Sequence, residues 1–164
     1  MPEHNLLAML RRLDDAQVQF IIVGGVAAVL HGAPLQTFDL DLVYSREPEN
    51  IDRILVVLES LDAVFRIQPE RRLRPVRSHL AGGGHLNLMT RFGPLDLLGT
   101  IGQNAGFAEL QPRADEMDIG QGVRVRVLNL ETIISSKEQV ASEKDLAVLP
   151  ILRRTLREMR NNKA

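Results

Sequence analysis

The chain has 164 residues, 45% hydrophobic and 25% charged, with a formal net charge of −1, enough length and apolar content to bury a core without covalent staples. It contains no Cys, which excludes disulfides and a thiol nucleophile and is compatible with the cytoplasm. No run approaches the roughly 20 apolar residues of a membrane span, and the N-terminus lacks the basic-then-apolar pattern of a secretory signal, so a soluble cytoplasmic protein with no membrane contact is expected.

Leu6, Leu7, Met9, Leu10 and Leu13 have helical spacing and predict an amphipathic helix from about residue 3 to 14. Phe20-Ile21-Ile22-Val23 reads as a buried strand ending in Gly24-Gly25, followed by a small-residue helix from Val26 to His31. Glycines at such a corner let backbone N–H groups approach an anion, and the helix start favours negative charge. His31, just before Gly32, is expected to have a structural role, capping free carbonyls or complementing the C-terminal dipole of the helix.

The run Thr37-Phe38-Asp39-Leu40-Asp41-Leu42 alternates polar and apolar residues with period two. As a strand it would put Thr37, Asp39 and Asp41 on one face and Phe38, Leu40 and Leu42 on the other. Carboxylates two residues apart on a strand lie roughly 6–7 Å apart at Cα, close enough to reach metal ions about 3.5–4 Å apart. Acids between apolar residues cost free energy unless something pairs with them, which points to a cation. Thr37, on the acids' side, would hydrogen-bond a phosphate or orient Asp39.

Downstream, Ile51, Ile54, Leu55, Val57, Leu58 and Leu61 predict a helix over about residues 50–61, and Ala63 to Ile67 a strand. Ala81-Gly82-Gly83-Gly84, flanked by His79 and His85, reads as a flexible turn. Strands are expected at about 85–90 and 94–99, with Asp96 inside the second apolar run. Another at about 115–119 should join Val123 to Leu128 through an Ile119–Val123 hairpin turn. Helices at about 130–139 and 143–160 follow. Strands with flanking helices imply an α/β or α+β fold around one sheet. One domain spanning residues 1–164 is expected, with a core at about 18–128 and a helical part at about 129–160.

On one continuous helix Lys137 and Lys144 would project within about 20° of each other and face one phosphate site. Ser142-x-x-Asp145 also reads as a capping box, which would start a new helix at about residue 143 and break that stripe. Arg66, Arg71, Arg72, Arg74 and Arg77 form one basic cluster, and Arg153, Arg154, Arg157, Arg160 and Lys163 another. Either could track a nucleic-acid backbone, through phosphate more than base stacking because the chain has no Trp and one Tyr.

Gly24-Gly25, Asp39-x-Asp41 and Asp96 together resemble the nucleotidyltransferase superfamily of the DNA polymerase beta type. The segment Leu130 to Lys137, then Lys144-Asp145-Leu146, is similar to small bacterial nucleotidyltransferase-like proteins related to abortive-infection toxins, and the likeness covers roughly residues 18–158. It implies a mixed sheet flanked by helices, with Asp39, Asp41 and Asp96 as catalytic ligands of Mg²⁺ or Mn²⁺. It implies nucleotide contacts from Gly24, Gly25, Thr37, Lys137 and Lys144, and transfer of a nucleoside monophosphate from an NTP to a hydroxyl of RNA, protein or a small molecule. The chain departs from the pattern at Leu35 and Ser142, where relatives commonly carry arginines. The alternative is therefore a nucleotide-binding or partner-binding module, for example in a toxin–antitoxin pair; the three intact acids speak against it.

Overall fold

The computed structural model describes residues 4–163. Helix α1 (Leu6–Asp15) is capped by Asn5, whose side chain accepts from the Ala8 amide at 3.0 Å, and it buries Met9, Leu10 and Leu13 as its spacing requires. The expected start at residue 3 lies outside the described residues. Strand β1 (Phe20–Val23) is buried at all four positions and runs directly into α2 (Gly24–Leu30). Then come β2 (Leu40–Tyr44), α3 (Pro48–Ser60), β3 (Val64–Phe65), α4 (Arg77–Gly82), β4 (Leu86–Thr90) and β5 (Gly93–Leu98). A small hairpin, β6 (Thr100–Ile101) and β7 (Ala105–Gly106), leads through α5 (Phe107–Leu110) to β8 (Ala114–Asp118) and β9 (Arg124–Leu128). Helices α6 (Leu130–Val140) and α7 (Glu143–Asn162) close the described chain.

Seven strands form one mixed sheet in the order β3-β4-β5-β2-β1-β9-β8. β2 runs parallel to β5 and β1 parallel to β9, while the remaining pairs are antiparallel. Central positions such as Ile21, Ile22, Leu40, Leu42, Leu95 and Val127 are almost fully buried, so the middle strands carry the core and hold the acids between them.

The acidic strand begins later than its alternation predicts. β1 ends at Val23, which pairs with Asp41, and the chain then turns into α2; β5 joins β2 at Leu95 opposite Leu40. Residues 37–39 therefore have no ladder partner on either side and precede the strand without joining it. Phe38, expected on the apolar face, is instead 64% exposed and meets His4 edge-on at 5.7 Å.

Helices α6 and α7 are separate. Ala141 adopts a left-handed conformation (φ 51°), and Ser142 accepts from the Asp145 amide while Asp145 reaches back to the Ser142 amide. Of the two readings open for this region, the capping box is the one realised. α4, α5 and the β6–β7 hairpin have no counterpart in the expectations, being too short to show a period.

Candidate active site

The register of the central strands builds the site. Val23 pairs with Asp41, Asp41 with Asp96, and Asp96 with Asn87, a straight row across four strands. In-register neighbours point to the same face, so Asp41 and Asp96 stand side by side, while flanking Leu40, Leu42, Leu95 and Leu97 are buried on the other. Each acid is half-buried. Burial, first, and then hydrogen bonding and repulsion from Asp96 and repulsion from Asp39 push the Asp41 carboxyl up to about 7; Lys137 pulls weakly the other way.

The glycine pair sets how closely this row approaches α2. Gly24 has φ +67°, and a Cβ there would run into the Asp41 carboxylate, with its Cγ at 3.1 Å. A Cβ on Gly25 would lie 2.8 Å from Thr37 Oγ1. The space that the glycines leave is thus filled by two of the expected site residues, and the pair brings Asp41 and Thr37 against the first turn of the helix.

Across from Asp41, α6 and the start of α7 wall a cavity of about 140 Å³ that Gly24, Asp41, Leu98, Ser136, Lys137 and Asp145 help to line. Lys137 Nζ donates to Asp145 Oδ1 at 3.2 Å, and Asp145 is held in turn by the Ser142 hydroxyl at 2.8 Å. Burial alone would raise the Asp145 carboxyl, but the Ser142 hydrogen bonds and the Lys137 charge outweigh it and hold it below the usual range. Lys144 is exposed on the first turn of α7 and does not line this cavity.

Two solved structures share this fold. A candidate nucleotidyltransferase of Thermotoga maritima, TM1012, superposes over 93% of this chain and 91% of its own, with 15% identity and a TM-score of 0.57. The antibiotic-resistance factor ANT(2'')-Ia superposes over 90% of this chain and 80% of its own, with 18% identity and a TM-score of 0.59. The fold is nucleotidyltransferase-like. No family model matches the chain, and no curated protein matches it in sequence.

Within this nucleotidyltransferase-like fold the expected residues divide into three groups. Asp41, Asp96, Gly24 and Lys137 converge on one face of the central sheet, and Gly25 holds Thr37 beside them. Asp39 is exposed at the mouth, still near enough to raise Asp41. Lys144 stays outside because the capping box starts α7 afresh. His31 is a structural residue, although its Nε2 bonds the Leu128 carbonyl of β9 at 2.8 Å rather than its own helix.

Three further residues lie beside these: Arg66, Asn87 and Asp145. Arg66 Nη2 lies 2.6 Å from Asp96 Oδ1, although the sequence groups it with the surface arginines. Those others are largely engaged by local acids: Arg72 and Arg74 with Asp62, Arg77 with Asp52, Arg153 with Glu138 and Arg160 with Glu131. Asn87 carried a usable signal, a lone polar residue between Leu86 and Leu88. Asp145 carried another as the fourth residue of the capping box.

The donor set suits a divalent cation by its chemistry. Asp41 has no salt-bridge partner among the described residues, and its carboxyl is crowded by a second one that is also half-buried, an arrangement that a cation relieves. Asp39 remains apart, and among the described residues no three acidic or imidazole groups converge on one point. No helix among them is long and apolar enough to cross a membrane.

Proposed function

We propose that this protein transfers a nucleoside monophosphate from an NTP to an acceptor hydroxyl in the cytoplasm, with release of pyrophosphate. The observation that carries the reading is the Asp41–Asp96 pair in register at the centre of a nucleotidyltransferase-like sheet, with Gly24 against it and Lys137 across the cavity. Mg²⁺ or Mn²⁺, for which Asp41 would be the central ligand beside Asp96, with Asp39 at the mouth, would supply neutralisation of the triphosphate charge.

The chain's own residues do the rest. Lys137, pre-set by Asp145, offers its ammonium to the triphosphate oxygens. Thr37 and the backbone of the Gly24-Gly25 turn border the same phosphates. Asp96, whose Oδ1 faces Arg66, presents Oδ2 to the acceptor hydroxyl and takes its proton as the new P–O bond forms and the bond to pyrophosphate breaks. Most of the rate gain comes from in-line positioning and charge compensation.

Lys137→Met is expected to weaken NTP binding about 10- to 100-fold, the loss of one charge-assisted hydrogen bond. Lys144→Ala, on an exposed turn, should change it by no more than about twofold. Fluorescence titration with each NTP separates the two; equal effects would place the phosphates nearer α7.

A second reading, a non-catalytic nucleotide- or partner-binding module such as one half of a toxin–antitoxin pair, has its own support. Leu35, at one of the two departures, lines an apolar groove with Val26, Val29 and Phe38, and Ser142, at the other, is used as the N-cap of α7. The deciding experiment incubates the protein with Mg²⁺, each α-labelled NTP, cellular RNA and protein extract, beside an Asp39→Ala/Asp41→Ala double variant. Label entering RNA or protein with wild type alone supports transfer and names the acceptor, RNA being the acceptor that the arginine clusters would suit. Mg²⁺-dependent NTP binding without transfer supports the binding module.

A further inference from the structure

We propose that Arg66 is a positioning residue that stands in for one divalent cation at Asp96, so that the acidic centre takes a single divalent cation on the side of Asp39 and Asp41. The proposal rests on the metal-dependent reading above and deepens it. Arg66 directly follows β3, the edge strand, and β4 lies between it and Asp96. Its backbone N–H donates to the Asn87 carbonyl at 2.9 Å, which extends the row Asp41–Asp96–Asn87 by one strand. The guanidinium then reaches over β4: Nη1 donates to the Leu88 carbonyl at 2.7 Å, and Nη2 sits 2.6 Å from Asp96 Oδ1. Two anchors hold a side chain that would otherwise lose much rotamer entropy on ordering.

Asp96 Oδ1 is buried and receives no hydrogen bond of normal alignment, so the charge of Arg66 rather than a directed bond compensates it. An arginine keeps that charge at every pH that the fold survives. Asp41 has no such partner among the described residues, since Lys137 is engaged with Asp145. Three carboxylates and one guanidinium leave two negative charges, which one divalent cation balances and two would overshoot.

Mn²⁺ binding to the full chain, counted by the loss of the free-ion electron paramagnetic resonance signal at fixed pH, tests this directly. Wild type is expected to bind one Mn²⁺ and Arg66→Met two, whereas Arg66→Lys, which keeps the charge, stays at one. Circular dichroism checks that each variant is folded; if Arg66→Met is not, the wild-type count still decides. Two ions in wild type, or one in a folded Arg66→Met, would overturn the proposal and leave nucleotidyl transfer standing. Asp41→Asn should lose the wild-type ion. No Mn²⁺ bound by wild type would sink the metal-dependent reading and this proposal with it.

Discussion

Asp41→Asn will reduce nucleotidyl transfer by about a thousandfold or more and, with metal removed by chelation, will make the protein more stable than wild type at pH 8. Both effects come from one charge. The Asp41 carboxyl titrates at 3.8 in an unfolded chain and at about 7 in the fold, because burial and Asp96 oppose ionisation. Between those values the folded state holds a proton that the unfolded state has lost. The stability from this group is fully present below about pH 4 and is lost as pH rises through about 7. At about 1.4 kcal/mol per unit the loss is at most about 4 kcal/mol, and about 2 kcal/mol after screening by water at the open mouth. Denaturant titrations at pH 5 and pH 8 with chelator should show more than half of that loss in wild type, the rest having occurred between about pH 4 and 5, and a flatter profile in Asp41→Asn. An equally steep profile in the variant would contradict the account. Because a proton competes with the cation for Asp41, transfer by wild type should need a higher cation concentration as pH falls.

Gly24→Ala should cost about 2–4 kcal/mol of stability and at least a hundredfold in transfer. At φ +67° a side chain is strained whatever the space around it, and here the new methyl would also enter the Asp41 carboxylate. Either Asp41 rotates away from Asp96 or the corner between β1 and α2 opens; both misplace the carboxylate by about an ångström, enough for that loss of rate. Gly25→Ala is the control. Its backbone is not left-handed, and its new methyl would lie 2.8 Å from the Thr37 hydroxyl and 3.0 Å from Thr37 Cβ, so Thr37 must give by a few tenths of an ångström. A cost nearer 1 kcal/mol is expected there. Thermal melts and label-transfer rates of the two variants provide the comparison, and equal costs would remove the special role given to Gly24.

Most of the architecture was legible because it is local. Hydrophobic periods marked α1, α3, β1, β4, β5, β9, α6 and α7 to within about three residues, and the capping box at Ser142 located the break between the last two helices. The acidic run shows where that logic stops. Its alternation runs from Thr37 to Leu42, yet only residues from Leu40 onward are strand, because a strand needs a neighbour and none reaches residues 37–39. Phe38 consequently faces solvent instead of the core.

By itself the sequence determined the type of sheet protein this is, the identity of the two glycines, and the acids at 39, 41 and 96, since each depends on residue type and short-range spacing. Only the tertiary structure decided which of these act together. Parallel pairing of β2 with β5 set Asp41 beside Asp96 across 55 residues of chain, and β3 brought Arg66 over β4 to the same row. Lys137 reached the cavity while Lys144 did not, because one left-handed residue and a cap turned α7 away. Strand register and helix breaks are set by packing between segments distant in sequence, and that is where charge pairing at this centre is settled.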